Sequence, residues 1–322
     1  MLRWTRVLPL IKSGGLMTVN LPATSVSHPS ILRRIRRHKT AMISLIVLVV
    51  MTIISFAAPV FENLMNLSAT DVDIYNRFAA PSLQHPLGTD ELGRDIFLRL
   101  LYGGQVSLTV GILTAVTAAV IGTIIGLWAG VYKGWADTLL MRMTDAVIAL
   151  PLLPLLIILA AVDLGKLGVP EHIITSEYIS LIRIVAILAL FGWTTVARLV
   201  RAATLSVMEN TYITAAEALG RRQTAIILRH VLPNVTGPLI VATTLSIGNV
   251  ILLESVLSFL GLGIQPPLAS WGNMLTNAQD LIWQNPALAV YPGVMIFITV
   301  IAFNLLGDAL QDIFNPKEYA NT

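Results

Sequence analysis

The sequence predicts an all-α integral membrane protein of six transmembrane helices with both termini in the cytoplasm, and three observations carry that fold class. Hydrophobic residues make up 55% of the 322 residues and charged ones only 12%, about half the charged share of a soluble domain. With a mean hydropathy of +0.77, hydrocarbon is the solvent such a chain suits. Apolar stretches long enough to cross a bilayer recur at residues 40–61, 107–132, 139–162, 180–199, 235–258 and 288–308. Threading these spans with the amino terminus inside leaves sixteen Lys and Arg residues on the inner side and five outside, the asymmetry that orients membrane proteins.

Taken in order, residues 1–39 hold eight basic residues, Arg33, Arg34, Arg36, Arg37 and Lys39 among them, and no acid. They read as a basic cytoplasmic segment, followed by the first membrane helix at 40–61. A cleaved signal peptide would have a shorter apolar core and a shorter leader. Residues 62–106 form an extracytoplasmic loop, and residues 107–310 a core of five helices. Gly122, Gly126 and Gly130 recur at four-residue steps in the second span, a flat face for a close helix neighbour. The third span contains Pro151 and Pro154 and should be kinked, which membrane helices tolerate when neighbours satisfy the freed backbone. Asp145, Glu254 and Asp308 read as boundary or helix-packing residues rather than a proton relay. Asn249 and Asn304 read as hydrogen-bond links between helices. Residues 311–322 are a cytoplasmic tail.

The longest polar-capable interval of the second half is 212–233, YITAAEALGRRQTAIILRHVLP, within a cytoplasmic hairpin at 201–233. Leu205, Met208, Tyr212, Ala216 and Leu219 recur at three- and four-residue steps, which predicts one apolar helical stripe. Asn210 is the expected N-cap and Gly220 the expected C-cap, since glycine adopts the left-handed conformation at little cost. A second helical run should stop at Pro233. The expected product is a helix–glycine–helix hairpin sized to fill a groove on a partner or to pack on its own bundle.

Several chemistries are absent from the sequence. There is no cysteine, hence no disulfide and no thiolate metal site. No His-Glu-x-x-His pair, EF-hand spacing or phosphate-binding loop occurs, so any ATP hydrolysis would be the work of another polypeptide. The arginines sit beside apolar spans rather than interleaved with aromatics, which speaks against a nucleic-acid partner; membrane lipid is the expected surrounding. No metal or catalytic site is expected.

Three separated motifs carry a resemblance. Residues 85–108 read HPLGTDELGRDIFLRLLYGGQVSL, and residues 254–275 read ESVLSFLGLGIQPPLASWGNML. Between them stand Thr214-Ala215-Ala216, three residues, Gly220, nine residues, and His230-Val231-Leu232-Pro233. In this order they resemble the permease subunits of bacterial ATP-binding-cassette importers, and more narrowly the second permease of the dipeptide, oligopeptide and nickel group. The central stretch departs from the general pattern, with Thr214 where Glu is usual, His230 where Ile is usual, and Glu217 where peptide-type relatives often carry a base. Gln105 likewise replaces a common arginine.

That resemblance implies a type I importer-like bundle in the bacterial plasma membrane. It implies a homologous second permease, two ATPase subunits and an extracytoplasmic solute-binding protein as partners. ATP and Mg²⁺ would be held by the ATPase, with no cofactor on this chain, which is then not an enzyme. It further implies that Tyr212, Thr214, Ala215, Ala216, Glu217, Gly220, His230, Leu232 and Pro233 couple to the ATPase, with Ala215 and Ala216 small so that the helix sits deep in its cleft. Asp90, Arg94, Asp95, Gln265, Pro266, Pro267 and Trp271 would face the binding protein. Peptides are the first expectation for cargo, with nickel complexes, opines or sugars the alternatives. An ion-coupled secondary transporter is the rival class. It requires paired midplane charges or inverted repeats, and the sequence offers neither.

Overall fold

The apolar stretches fold as helices because a bilayer leaves backbone N–H and C=O groups no partner but their own helix. The computed structural model describes residues 31–174, 176–276 and 278–314. The start of the basic amino-terminal segment and the end of the tail, with Lys317, lie outside the described residues. In chain order the helices are α1 (Ile31–Arg37), α2 (Lys39–Phe56), α3 (Ala58–Met65), α4 (Ile96–Tyr132), α5 (Gly134–Ala149) and α6 (Leu152–Ala161). There follow α7 (Glu171–Ile174), α8 (Ile179–Met208), α9 (Thr211–Ala218), α10 (Gln223–Ile226), α11 (Leu232–Phe259), α12 (Ala278–Leu281) and α13 (Ala287–Phe314). Five helices are long and apolar enough to cross a membrane, or six if the bent pair α5–α6 counts as one span. Among the described residues the extended structure is confined to a single bridge between Thr89 and Asp95.

The expected glycine face on α4 is a close helix contact, against α8. A Cβ on Gly122 would stand 2.6 Å from the Trp193 carbonyl oxygen, one on Gly126 2.6 Å from that of Ala197, and one on Gly130 2.6 Å from Thr204 Cγ2. The partner number rises with the glycine number, so α4 and α8 run parallel. The chain leaving α4 must therefore return to the other end of the bundle before α8 begins, and α5–α6 returns it. That pair bends by 84° at Leu150–Pro151, far more than a simple proline kink. Two ion pairs fasten α5 to α8: Arg198 Nη2 to Asp145 Oδ1 at 2.5 Å, and the Arg201 fork on Asp137, with Nη2 to Oδ2 at 2.6 Å.

Contacts of α11 run the opposite way, Ser107 meeting Glu254 and Gly111 meeting Ile251. Helix α13 is antiparallel to α11 in turn, with Gly248 beside Val300 and Gly307 against Leu245. Helix α2 closes the far side, where Gln105 Nε2 donates to the Ser55 carbonyl at 2.8 Å. At the α1 end, Arg34 Nη1 donates to the Ile313 carbonyl at 3.2 Å and His38 Nε2 stands 3.5 Å from Asp312 Oδ2. The first and last described helices thus meet at one end.

Two expectations need correction. The helix does not stop at Pro233: it runs from Gln223 to Phe259 through a π-helical turn, Ile227–Val231. The Leu232 N–H bonds back to the Ile227 carbonyl across that wider turn. The turn makes room for a ring without an N–H, and Asn234 Nδ2 satisfies the His230 carbonyl at 2.6 Å, so the proline sits inside a continuous rod. Asn249 is exposed, and among the described residues neither it nor Asn304 hydrogen-bonds another helix through its side chain.

Candidate functional site

At the end of the bundle where α8 finishes, the chain folds back as α9, a glycine turn and α10. Asn210 does not cap α9 with its side chain. Its Nδ2 donates backwards, to the Ser206 and Val207 carbonyls at 3.2 and 3.0 Å, and so closes α8, while its main-chain carbonyl accepts from Ile213 at 3.0 Å. Gly220 does end α9 as expected, at φ +72°. The Arg221 N–H reaches the Ala216 carbonyl at 3.2 Å and the Gly220 N–H that of Glu217 at 2.9 Å, the paired bonds of a Schellman turn.

The face that α9 buries is not the expected stripe, because α8 breaks at Glu209–Asn210 and the periodicity restarts. Ile213 and Ala216 point inward, at 0% and 9% exposure, and pack with Val196, Val200, Ile226, Val231 and Val235. Ala216 is therefore small to sit against its own bundle, whereas Ala215 faces out. Thr214, Glu217, Gly220 and Pro233 are exposed, with His230 and Leu232 half-buried. Tyr212 and His230 meet across the hairpin with ring centroids 6.1 Å apart. Leu219 and Leu228, at 84% and 65% exposure, stand out among the exposed Arg221, Arg222 and Arg229. Sequence periodicity missed Ile213 and Ile226 as the anchors. The signal for Ile213 was its three-residue step to Ala216, once the helix is started after Asn210 instead of at Leu205. Ile226 lies beyond the Gly220 turn, in α10, where no step from Ala216 reaches.

The opposite end is built around two carboxylates from the first motif and one from the third. Asp90 Oδ1 accepts from the Leu92 and Arg94 N–H groups, both at 2.9 Å, and its Oδ2 from Arg94 Nε at 2.8 Å, with Arg99 Nε at 3.4 Å. Asp95 caps α4, its Oδ1 accepting from the Leu98 N–H at 2.8 Å, and its Oδ2 meets His85 Nδ1 at 3.0 Å. Gly93, at φ +77°, lies so close to the Asp73 carbonyl that a Cβ would stand 1.8 Å from its oxygen. The motif is a knot that fixes the start of α4.

Glu254 is wholly buried. Ser258 Oγ and Ser270 Oγ donate to its Oε1 at 2.7 and 2.8 Å, and Ser107 Oγ to its Oε2 at 3.3 Å. Sequence reading gave Glu254 a packing role without its partners, and the third motif's serines at 258 and 270 are what complete it. Trp271 is fully buried too, its indole N–H donating to the Leu100 carbonyl at 2.9 Å and its ring lying over Gly103 and Gly104. Asp90, Asp95 and Trp271 are thus turned inward, because their bonds hold the loops together. Arg94 is largely covered, at 13% exposure. Only Gln265, Pro266 and Pro267 of the expected partner-facing set are exposed. Among the described residues no group of three or more His, Asp or Glu side chains gathers as a metal site.

Two family models match the chain. The binding-protein-dependent transport system inner membrane component covers residues 122–318, and the N-terminal transmembrane domain of oligopeptide transport permease C covers residues 30–81. A glutathione transport system permease protein of Pectobacterium atrosepticum is 38% identical over 286 residues, 88% of this chain and 89% of its own. A putative peptide transport system permease protein of Brucella abortus is 38% identical over 309 residues, 94% of this chain and 98% of its own. A dipeptide transport system permease protein of Alkalihalophilus pseudofirmus is 36% identical over 285 residues, 88% of each.

Proposed function

The chain belongs to the binding-protein-dependent inner membrane permeases of ABC importers, and from that premise we propose that it forms half of a translocation pathway for peptides in a bacterial plasma membrane. A second, homologous permease forms the other half, two ATPase subunits hold ATP and Mg²⁺, and a solute-binding protein delivers cargo from outside. Relatives named as glutathione, dipeptide and peptide permeases favour short peptides over nickel complexes, opines or sugars.

One observation carries the coupling role: the 211–231 hairpin has a buried inner face and an apolar outer face. Ile213, Ala216 and Ile226 fasten it to α8 and α11, while Tyr212, Leu219 and Leu228 remain uncovered. Two exposed leucines and a tyrosine on so short a segment, among Arg221, Arg222 and Arg229, support a partner on that face. In this reading the ATPase cleft takes that outer face, with Thr214, Ala215, Glu217 and Gly220 along it and His230, Leu232 and Pro233 at its root. ATP-driven closure acts through differential contacts with the hairpin in two states.

The meeting of α1 with the end of α13, and the parallel run of α4 and α8, support six crossings with both termini on one side. The Lys and Arg asymmetry places that side in the cytoplasm. Residues 62–106 and the loop at 261–287 then face outward, with Gln265, Pro266 and Pro267 available to the binding protein.

Purification of the chain from gently solubilised membranes tests this reading. Recovery of a second permease and an ATPase with a phosphate-binding loop is the expected result. Recovery of this chain alone, still transporting in vesicles without ATP, overturns it. A reporter fused at residue 225 should register a cytoplasmic location, and an external signal there would sink the orientation.

A further inference from the structure

Near the end opposite the hairpin three of the five Lys and Arg side chains are engaged, and Lys166 is exposed. Arg94 and Arg99 pair with Asp90, and Arg77 donates to the Glu91 carbonyl at 2.6 Å. Arg183 is different. It stands in the second turn of α8, half-buried, with no ion-pair or hydrogen-bond partner among the described residues. An arginine on an apolar membrane helix without a counter-charge is expensive and marks a ligand path by default.

Ser180 lies three residues earlier, on the same helical face. Its side chain is buried, at 8% exposure, and its hydroxyl has no hydrogen-bond partner. Thr117 satisfies itself by donating to the Leu113 carbonyl at 2.8 Å. Ser44, Ser55, Thr114, Thr123 and Thr204 are buried without a partner as Ser180 is, but Ser180 shares a cavity with an unpaired arginine. A snorkelling arginine alone would leave the Ser180 orphan unaccounted for, since a buried unmade hydrogen bond costs about 1–3 kcal/mol.

Both side chains line one cavity of about 630 Å³ between the end of α6, the start of α8 and the 261–267 loop. That is within the ~300–1,000 Å³ range of small-molecule sites. Asp163 and Glu177 line the same cavity, are exposed, and form no salt bridge with Arg183. Gln265 and Pro266 close its far wall. One region therefore offers a guanidinium fork and a free hydroxyl, and another offers carboxylates. Unmatched charges of both signs, held apart in one cavity, suit a ligand that carries both.

We propose that this cavity is a binding site on the permease for a short zwitterionic peptide, with Arg183 and Ser180 Oγ holding the terminal carboxylate and Asp163 or Glu177 the terminal ammonium. The guanidinium accepts a carboxylate in bidentate fashion, and Ser180 gains the partner it lacks. The site rests on the peptide-import reading and adds to it a contact through which the permease itself discriminates cargo.

The test uses the permease–ATPase assembly purified without the solute-binding protein and two probes, alanyl-alanine and its carboxamide, in equilibrium binding. Wild type should prefer the free carboxylate about tenfold or more, as expected for a charge-assisted hydrogen bond. Arg183→Ala should erase that preference and leave carboxamide binding unchanged, Arg183→Lys should restore part of it, and Ser180→Ala should weaken it. Because the readout is a ratio between two ligands, a general folding defect does not imitate it. An unaltered preference in Arg183→Ala overturns the proposal, as does a wild-type assembly that binds neither probe. Arg183-dependent binding in an assembly without ATPase would instead sink the coupling role and leave this site standing.

Discussion

Leu219 separates a docked hairpin from a merely connecting one. Its side chain is 84% exposed, so truncation to Ala removes nothing the fold holds, and stability should move by less than about 0.5 kcal/mol. In a partner's cleft the same side chain leaves water. Leu219→Ala then deletes about three methylene-equivalents at ~0.8 kcal/mol each, roughly 2.4 kcal/mol of docking, or about a 50-fold loss in association constant. Ile213 gives the opposite signature. It is 0% exposed and packs on Val196 and Val200, so Ile213→Ala should cost about 2–5 kcal/mol of fold stability. The assay purifies the assembly from membranes bearing each variant and measures permease unfolding, ATPase recovered per permease, and ATP-driven uptake. Leu219→Ala should keep its unfolding temperature while losing ATPase. Undiminished ATPase recovery and uptake in Leu219→Ala would refute the docking account.

Other substitutions probe the remaining supports. Gly126→Val places atoms where a Cβ alone stands 2.6 Å from the Ala197 carbonyl oxygen; it should part α4 from α8 and cost at least about 1–3 kcal/mol, read from thermal unfolding in detergent. Glu254→Leu leaves the Ser107, Ser258 and Ser270 hydroxyls without their acceptor, at about 1–3 kcal/mol each, whereas Glu254→Gln keeps the shape and should melt close to wild type. Arg201→Ala strands Asp137, so the double variant with Asp137→Ala should be more stable than Arg201→Ala alone; a strictly additive cycle contradicts the pair. Gly220→Ala meets open space and should cost about 1–2 kcal/mol for its left-handed backbone. Gly220→Asp should abolish uptake with membrane insertion intact, and normal uptake would argue against a docked tip.

Helices were legible in the sequence because burial in lipid writes itself as long apolar runs. The glycine face of α4 was legible because a four-residue repeat of small residues has one geometric use. The parts that stayed hidden depend on where one helix ends and another starts. The Leu205–Leu219 stripe spans the break at Asn210, and a period counted across a break assigns the wrong face; Leu219 emerged exposed and Ile213 buried. Pro233 read as a stop because a lone proline usually is one, and the π turn that absorbs it leaves no compositional mark. Asp90, Asp95 and Trp271 sit in a polar loop region that reads as surface. Trp271 is buried by contacts with segments far away in sequence, Leu100 and Ser107, which no local window contains. Asp90 and Asp95 are instead turned inward by Arg94, Arg99, His85 and Leu98 of their own motif, whose pairing composition does not reveal.

Those hidden features are also what would let a push at one end be felt at the other. The helix from Gln223 to Phe259 is 37 residues of unbroken rod, about 55 Å long, and the hairpin is its direct continuation. Had Pro233 ended a helix, a flexible joint would lie between the docking face and the bundle. Instead Ile226 and Val231 seat the root of the rod on α8. At its far end Glu254 ties the rod to α4 through Ser107 and to the 261–277 loop through Ser270. The hairpin is thus joined to the loop that carries Gln265 and Pro266 by one continuous helix, in which the π turn and Pro238 are the places where it can flex. Those two residues form the wall shared by the Arg183 cavity and the neighbouring cavity over Asp90 and Arg99. On the proposed function, the segment that ATP-driven closure moves borders the proposed peptide site, so peptide affinity there should change with the hairpin's position.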